Sequence, residues 1–259
     1  MSDTTIELID RVQVLRLTRP AKKNALTTPM YAAMADALEA GDRDPGIAAH
    51  VFIGSDGVFS AGNDIADFLE QTRSLGALGA ATVRFIRALP TVSKPMIAAV
   101  DGLAVGVGTT LLLHCDLVYA TPQASLRTPF LDLGIVPEAG SSLLMPERMG
   151  YARAFQMLCL GEPCSAEDAK AAGLVNTIVP AGDLEAVAMA AARKLASKPP
   201  EALAAARRLM RGDPSLIVAR IDAEVEEFRR RLASPEAREA FQAFLEKRPA
   251  NFGGSARSG

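Results

Sequence analysis

The stretch KPMIAAVDGLAVGVGTTLLLHCDLVYA, residues 94–120, decides the fold of this chain. An apolar run at 95–100 ends at Asp101-Gly102, and glycines at 102, 106 and 108 lead into residues 109–114. This order predicts a strand, then a tight turn, then the start of a helix. A helix start leaves main-chain N–H groups unpaired, and these groups carry partial positive charge. The stretch therefore predicts main-chain donors that are free to hold an anionic oxygen.

A carboxylate follows further along the chain, in the sequence Pro137-Glu138-Ala139-Gly140. Its neighbours are apolar or small, and it also precedes a predicted helix. Proton abstraction beside a carbonyl requires such a base together with donors that hold the oxygen as it becomes negative. Two simpler interpretations stay open from the residues alone. The glycines could form a tight turn and nothing more, and Glu138 could be an acidic residue placed by a helix dipole.

Length and composition restrict the class of protein. At 259 residues the chain suits one large domain, or one domain with a helical extension. Hydrophobic residues make up 49 % and charged residues 22 %, an ordinary globular usage that argues against disorder. The net charge of −2 disfavours nucleic acid and anionic membrane surfaces as partners. No apolar run approaches the roughly 20 residues of a membrane span.

The cysteines and histidines are interpreted as structural. Cys115, Cys159 and Cys164 have no C-x-x-C spacing, which indicates reduced thiols in a cytoplasmic protein. His50 and His114 lie beside apolar residues, without neighbours suited to a metal or to a catalytic triad. The sequence therefore predicts no metal site and a cytoplasmic location.

Two regions of the chain differ in their pattern. Strand–strand–helix units recur at 4–39, 49–89 and 96–114. A strand at 174–179 closes this part, and the helices predicted beyond it lie at 183–197, 200–211, 215–232 and 235–247. The change falls near Lys198-Pro199-Pro200, so we divide the chain into residues 1–198 and 199–259. The predicted fold class is α/β with a C-terminal all-helical region.

Local signals add detail at both ends. Thr27 or Thr28 can cap the helix that follows. Near the C-terminus, one apolar stripe consists of Ile221, Val225 and Phe228, and another of Phe241, Phe244 and Leu245. Such stripes indicate core or a subunit interface. Membrane attachment is disfavoured by the acidic residues of the same segment, Glu224, Glu226 and Glu227.

Five segments, in this order, resemble the crotonase (enoyl-CoA hydratase/isomerase) superfamily over nearly the whole chain. They are TRPAKKNAL at 18–26, VFSAGNDIADF at 58–68, the stretch at 94–120, LGIVPEAGSSLLMPERMG at 133–150 and AEDAKAAGLVNTIVP at 166–180. The resemblance implies a spiral of ββα units in 1–198 and an acyl-CoA site there. It implies a homotrimer, or a dimer of trimers, assembled through 199–259. Coenzyme A would be part of the substrate, and no separate cofactor is implied.

The resemblance also implies an oxyanion hole made of two main-chain N–H groups, those of Asn63 and Val107. The adjoining segments would line the path of the acyl-CoA, through Ser60, Ala61, Gly62, Asp64 and Gly106. Cations near the first segment suit the phosphates of coenzyme A, namely Arg19, Lys22 and Lys23. Two alternatives stay open here. Asp64 could cap the helix predicted at 65–70, and the basic loop could be a solvated surface. Residues 71–78 are weakly patterned, and we expect them to be mobile and to shape the acyl tunnel.

The carboxylates discriminate between branches of the superfamily. Hydratases of this type carry two glutamates that activate a water, where this sequence has Thr110 and Phe130. They carry glycine where this sequence has Glu138. The exchange resembles Δ3,Δ2-enoyl-CoA isomerases, in which a single base acts and water is excluded. Phe130 and Leu133 would give that base an apolar surround that raises its pKa. Hydration, thioester hydrolysis and non-catalytic acyl-CoA binding stay open as alternatives.

Overall fold

A computed structural model describes residues 3–75 and 78–254, with the backbone alone for 71–75. The strands are β1 (Thr4–Ile9), β2 (Val12–Leu17), β3 (Ala49–Ile53), β4 (Met96–Val100), β5 (Leu103–Val105), β6 (Leu117–Ala120), β7 (Ser125–Arg127), β8 (Cys164–Ser165) and β9 (Thr177–Ile178). The helices are α1 (Thr28–Arg43), α2 (Ile65–Leu75), α3 (Ala80–Thr91), α4 (Val107–Thr110), α5 (Ser141–Met149), α6 (Tyr151–Phe155), α7 (Ala166–Ala171), α8 (Leu184–Ala196), α9 (Pro200–Arg211), α10 (Pro214–Leu232) and α11 (Pro235–Leu245).

Two sheets organise the first part of the chain. The larger sheet has six strands in the order β1-β2-β3-β4-β6-β9, and all its pairs are parallel except the hairpin of β1 and β2. Every residue of β3 and β4 is buried, as expected for apolar runs in the middle of a parallel sheet. The smaller sheet pairs β5 with β7 in parallel and β7 with β8 antiparallel. This α/β architecture confirms the predicted fold class.

Helices cover both faces of the larger sheet. On one face α8 buries Leu184, Ala188, Met189 and Ala192 against the sheet. On the other face lies the main core, to which α1 and α3 contribute Met34, Leu38, Phe85, Ile86 and Leu89. The central strands β3 and β4 are therefore a buried layer between helices, from which the following loops extend.

The C-terminal helices pack against this main core. Ile221 and Phe228 of α10 are buried in it, and the ring of Phe68 contacts the rings of Phe228 and Phe241, with centroids 6.1 and 5.5 Å apart. Phe244 is 53 % exposed, so the second predicted stripe is buried only in part. No strand follows β9 within the part of the chain that the structure describes. The division at residue 198 stays a prediction.

Some predicted boundaries were wrong. The predicted strand at 174–179 is reduced to β9, because the N–H groups of Leu174 and Val175 bond back to Ala169 O in α7. Neither threonine caps α1 through its side chain; instead Asp67 accepts hydrogen bonds from both the N–H and the hydroxyl of Thr28. The helix predicted at 65–70 continues to residue 75. The predictions of mobility and of a tunnel wall for 71–78 fall largely outside the described residues.

Candidate active site

A parallel pairing brings the two predicted donor segments together. Ser60 pairs with Ala104, and the Ser60 carbonyl accepts a hydrogen bond of 2.9 Å from the N–H of Val105. Asn63 lies three residues beyond Ser60, and Val107 lies three residues beyond Ala104. Because parallel segments run in the same direction, the pairing carries Asn63 and Val107 to the same end of the two segments. The structure thus brings both predicted oxyanion-hole residues into one place.

Glycine is required where these segments touch. Gly62 has φ +83°, and a Cβ at this position would lie 2.7 Å from the carbonyl oxygen of Val105. A Cβ on Gly108 would lie 3.0 Å from the Cβ of Ser60. Such contacts are too short for any larger residue without movement of the backbone. The glycines of both motifs therefore serve close approach of the two main chains.

The main-chain N–H groups of Asn63 and Val107 are both free. Neither has a hydrogen-bond acceptor among residues 3–75 and 78–254. Val107 is the first residue of α4, so its N–H lacks a partner within the helix. At Asn63 the pairing with Leu26 uses the neighbouring groups, with Leu26 N–H on Gly62 O and Asp64 N–H on Leu26 O. Both donors are therefore unpaired within the described part of the chain, and their service to one ligand oxygen stays a prediction.

The Asn63 side chain is held by a hydrogen bond from a residue that sequence analysis missed. The hydroxyl of Tyr31 donates to Asn63 Oδ1 at 2.5 Å, and the Tyr31 side chain is buried in the main core. Burial raises the pKa of Tyr31 well above its usual value, and the charges of Glu138 and Asp67 raise it further. Tyr31 therefore stays neutral and donates to the side chain of Asn63. In the sequence it is one apolar-face residue of α1, and nothing marks it as functional.

Glu138 is a buried carboxyl group. It is 5 % exposed, and its Oε1 accepts a 2.5 Å hydrogen bond from the hydroxyl of Thr110, the last residue of α4. The pKa of Glu138 is raised to about 8, mainly by burial. The hydrogen bond from Thr110 acts in the opposite direction, and the charge of Glu224 adds to the increase. A carboxyl group with a pKa near neutral pH can both accept and return a proton. The N–H of Val107 and the carboxyl of Glu138 thus connect to opposite ends of the same short helix.

A left-handed turn follows Glu138. Ala139 has φ +57° and Gly140 has φ +74°, and α5 begins at the next residue. Nε2 of His114 donates to Ala139 O at 2.7 Å; burial lowers the pKa of His114 to about 3, so the ring is neutral. On the other side of the turn, the carboxylate of Glu224 in α10 accepts a 2.6 Å hydrogen bond from Gly140 N–H. His114 is structural, as predicted, but it supports the turn that carries Glu138.

Sequence analysis grouped Glu224 with Glu226 and Glu227 as acidic residues that disfavour membrane attachment and gave it no place in the site. Glu224 is 6 % exposed and lies three residues after Ile221 and four before Phe228, on the buried side of α10. Besides Gly140, it accepts hydrogen bonds from the N–H of Ser142 at 2.9 Å and from its hydroxyl at 2.5 Å. The helical spacing to Ile221 and Phe228 was the signal that could have identified it.

The basic loop lies against the first donor segment through its backbone. Ala61 N–H donates to Lys23 O at 2.9 Å, and the side chains of Lys22 and Lys23 are exposed. Arg19 is engaged elsewhere, because its guanidinium lies 2.7 Å from the carboxylate of Asp64. Asp64 Oδ1 also accepts the first free N–H groups of α2, so the helix-capping alternative is realised. Contact of Lys22, Lys23 or Asp64 with an acyl-CoA stays a prediction.

The two predicted apolar neighbours are adjacent to each other. Phe130 is 6 % exposed and belongs to the main core, and Leu133 is half-buried and packs against that core. Their loop is closed by the Phe130 carbonyl, which accepts hydrogen bonds from the N–H groups of Leu133 and Ile135. Gly106 precedes α4 with φ +55° and is half-buried. The roles of Phe130, Leu133 and Gly106 toward a ligand stay predictions.

The described part of the chain has neither a cluster of metal ligands nor a helix suited to a membrane. No three His, Cys, Asp or Glu side chains are grouped there in a way that could hold a metal ion. None of the described helices combines the length and the apolar composition needed to cross a bilayer. The three cysteines are free thiols, and only Cys115 is buried.

Known proteins are similar to this chain over most of its length. A family model described as enoyl-CoA hydratase/isomerase matches residues 8–255. Enoyl-CoA delta isomerase 2 of Rattus norvegicus is 34 % identical over 238 residues, which are 89 % of this chain and 60 % of that relative, so the chain spans less than two thirds of its length. The 2,3-dehydroadipyl-CoA hydratase of Escherichia coli strain K12 is 33 % identical over 255 residues, 98 % of this chain and 100 % of the hydratase.

The fold is shared with solved structures. A crystal structure of enoyl-CoA hydratase/isomerase from Pseudoalteromonas atlantica T6c superimposes with a TM-score of 0.91 at 38 % identity, covering 97 % of this chain and 100 % of that one. This similarity confirms the predicted crotonase fold. The relatives carry the names of both isomerases and hydratases, so the names do not select between these reactions.

Proposed function

The chain belongs to the enoyl-CoA hydratase/isomerase family, and from this premise we propose that it is a Δ3,Δ2-enoyl-CoA isomerase. The substrate would be a 3-enoyl-CoA thioester, with coenzyme A as part of the substrate and no further cofactor. The product would be the conjugated 2-enoyl-CoA. One observation carries the proposal: Glu138 is a buried carboxyl group that accepts a hydrogen bond from Thr110. Thr110 stands where hydratases of this type have one of their two glutamates.

The reaction would use the free donors and the carboxylate in two steps. Ionised Glu138 takes a proton from C2, and the electrons move into the thioester carbonyl to give a dienolate. The N–H groups of Asn63 and Val107 hold the oxygen as it becomes negative; loss of one such donor typically slows a reaction roughly 100- to 1000-fold. Protonated Glu138 then gives the proton to C4, which restores the carbonyl and leaves the double bond at C2. Proton and charge are balanced, and Glu138 is regenerated.

The pKa of Glu138 suits both steps. A group with a pKa of about 8 is a stronger base than an ordinary carboxylate and still returns its proton to carbon. Thr110 supports the ionised form by donating a hydrogen bond, yet its hydroxyl does not ionise near neutral pH. Thr110 therefore cannot replace the second carboxylate that would polarise a water molecule.

Hydration is the second candidate, because similarity to the Escherichia coli hydratase extends over the whole of that protein. Hydration needs a water held between a base and an acid. With Thr110 and Phe130 at the positions of the two hydratase glutamates, Glu138 would be left to do both tasks. This is the reason for placing isomerisation first.

The test is to incubate the protein with 3-enoyl-CoA and 2-enoyl-CoA thioesters of several chain lengths. Conjugation is followed by ultraviolet absorbance, and hydration or hydrolysis by mass. An isomerase forms 2-enoyl-CoA from 3-enoyl-CoA much faster than it adds water. Comparable rates of hydration and isomerisation would contradict the proposal. Tight binding of acyl-CoA without turnover would identify a non-catalytic binding protein instead.

We also propose that the chain assembles as a homotrimer or a dimer of trimers and acts in the cytoplasm. Supporting the assembly, large apolar side chains are exposed on α6 and the C-terminal helices, at 72 % for Tyr151, 83 % for Leu209 and 59 % for Leu245. Apolar side chains that are exposed in a single subunit can become buried in an interface between subunits when they form a contiguous patch. Sedimentation of the purified protein as a monomer at micromolar concentration would contradict the assembly.

A further inference from the structure

The turn between Glu138 and α5 is held by a carboxylate from the other end of the chain. Glu224 lies 84 residues after Gly140, and it accepts three hydrogen bonds from the start of α5. Two come from the main-chain N–H groups of Gly140 and Ser142, and the third from the Ser142 hydroxyl. These are helix N-terminal donors, for which a carboxylate is the preferred acceptor. Glu224 thus caps α5 from α10.

The position of this cap is set by packing. Gly140 lies against α10 so closely that a Cβ on it would be 3.0 Å from Cγ2 of Ile217. Ile221 and Phe228 bury the same face of α10, so Glu224 cannot swing into solvent without moving the helix. The turn of Ala139 and Gly140 is therefore fixed between His114 on one side and α10 on the other.

The turn needs such support. Ala139 adopts a left-handed conformation, with φ +57°, that is unfavourable for a residue with a Cβ atom. Such a conformation persists only when its surroundings hold it. The main-chain bond from Ser141 N–H to Glu138 O, the contact from His114 and the cap by Glu224 provide three points of attachment. Of these, only Glu224 brings a charge.

We propose that Glu224 is a positioning residue: its hydrogen bonds to the start of α5 fix the turn that presents the Glu138 carboxyl group to substrate. The negative charge of Glu224 also raises the pKa of Glu138. The proposal rests on the proposed function for its kinetic consequence. Its structural consequence, a change in the titration of Glu138, does not depend on any reaction. The charged and titratable groups around the pair are Tyr31 and Glu224 near Glu138, and Arg220 near Glu224.

The test compares Glu224→Gln with the wild type and with Glu227→Gln. Glutamine keeps the size of the side chain but replaces one acceptor oxygen by an NH₂ group, which cannot accept from the α5 N–H groups. Glu227 is a matched control, because it lies on the same helix, its side chain is 42 % exposed, and it pairs only with arginines of α10 among the described residues. The readouts are kcat and KM for 3-enoyl-CoA, and ¹³C NMR titration of glutamate carboxyls without substrate. The Glu138 resonance is assigned by its loss in Glu138→Gln.

In Glu224→Gln we expect kcat to fall about 10- to 100-fold with KM nearly unchanged, as for displacement of a catalytic group. The NMR midpoint of Glu138 should move to lower pH, because a negative charge is removed and water reaches the turn more easily. Glu227→Gln should match the wild type in both. A wild-type kcat with an unmoved Glu138 midpoint in folded Glu224→Gln would overturn the proposal, and so would a lowered kcat with an unmoved midpoint, which indicates a merely structural role.

A failure of the reaction is distinguishable from a failure of the proposal. If the wild type does not isomerise 3-enoyl-CoA but the midpoint still moves in Glu224→Gln, the positioning stands and the proposed function falls. Should Glu224→Gln not fold, Ser142→Ala removes the hydroxyl that donates to Glu224 and accepts a long, 3.4 Å hydrogen bond from Arg220, while both main-chain donors to Glu224 remain. A smaller fall in kcat in the same direction then supports the proposal, and a wild-type kcat contradicts it.

Discussion

The hydroxyl of Thr110 lies 2.5 Å from Oε1 of Glu138, and both side chains are buried. This bond joins the short helix after the glycine-rich turn to the turn that carries the carboxyl group. At its other end the same helix begins with the free N–H of Val107. The predicted base and one predicted oxyanion donor are therefore fixed relative to each other by four residues of helix.

Removal of this hydroxyl should raise the pKa of Glu138, because the bond from Thr110 favours the ionised form. For Thr110→Val we expect isomerisation at pH 7 to fall about 10- to 150-fold, since loss of a hydrogen bond to a charged group costs roughly 1.5–3 kcal/mol. The rate should recover partly at higher pH. Thr110→Ser keeps the hydroxyl and serves as the control. Steady-state kinetics of both variants from pH 6 to 9 check this, and equal rates in Thr110→Val and wild type at pH 7 would contradict it.

The wild-type enzyme should be more active in mildly alkaline solution. A base with a pKa of about 8 is ionised in only roughly a tenth of molecules at pH 7. For free enzyme and substrate, kcat/KM should therefore rise up to about pH 8 and level off above it. An ordinary glutamate would instead give a plateau from about pH 5 upward. A kcat/KM that is flat between pH 6 and 9 would show that Glu138 is not the titrating base.

The buried carboxyl group should also make stability depend on pH. Folding raises the pKa of Glu138 from 4.5 to about 8, so between these values the unfolded chain releases a proton that the folded chain keeps. The free energy of unfolding therefore decreases as pH rises through this window, by an amount on the order of 3–5 kcal/mol. Glu138→Gln removes this pH-dependent contribution to the free energy of unfolding.

Urea denaturation at several pH values measures this contribution of Glu138 to the free energy of unfolding. Relative to wild type, Glu138→Gln should gain stability between pH 5 and pH 9, whereas the exposed control Glu147→Gln should follow the wild type. Parallel pH curves for Glu138→Gln and wild type would mean that the carboxyl group is solvated in the folded state.

The glycines of the two donor segments should differ in their tolerance to alanine. Gly62→Ala places a Cβ 2.7 Å from Val105 O, whereas Gly106→Ala meets no atom within 4 Å. Both positions have positive φ, so each substitution costs roughly 1–3 kcal/mol of strain. Gly62→Ala adds a backbone clash that separates Asn63 from Val107. We expect it to lower stability more than Gly106→Ala, and activity with it, as measured by urea denaturation and kinetics. Equal effects would contradict the close approach of the segments.

The fold was largely predictable because the apolar runs and turn residues are local signals. β3, β4 and the helices beyond residue 180 follow from patterning alone. The end of the sheet was not predictable in this way, since the bonds from Leu174 and Val175 to Ala169 depend on how α7 turns back. Likewise, the capping of α1 by Asp67 joins residues 39 apart, and no local rule reveals it.

The candidate site likewise has a part that local sequence signals predict and a part that depends on tertiary contacts. Its main-chain donors and Glu138 stand in motifs, so sequence analysis could name them. The supporting residues Tyr31, His114 and Glu224 contribute through tertiary contacts, and in the sequence each resembles an ordinary core or surface residue. Such contacts depend on the tertiary structure, and several residue types at several places in the chain could make them. A local sequence motif therefore does not reveal them.

The central claim is that Glu138 moves the proton, and one comparison tests it most directly. Purified wild type and Glu138→Gln are incubated with the same 3-enoyl-CoA, and formation of the conjugated product is followed by absorbance. Glutamine keeps the shape and the acceptor for Thr110 but cannot take a proton, so we expect kcat to fall roughly 100- to 10,000-fold. An unchanged rate of isomerisation in Glu138→Gln would contradict the account.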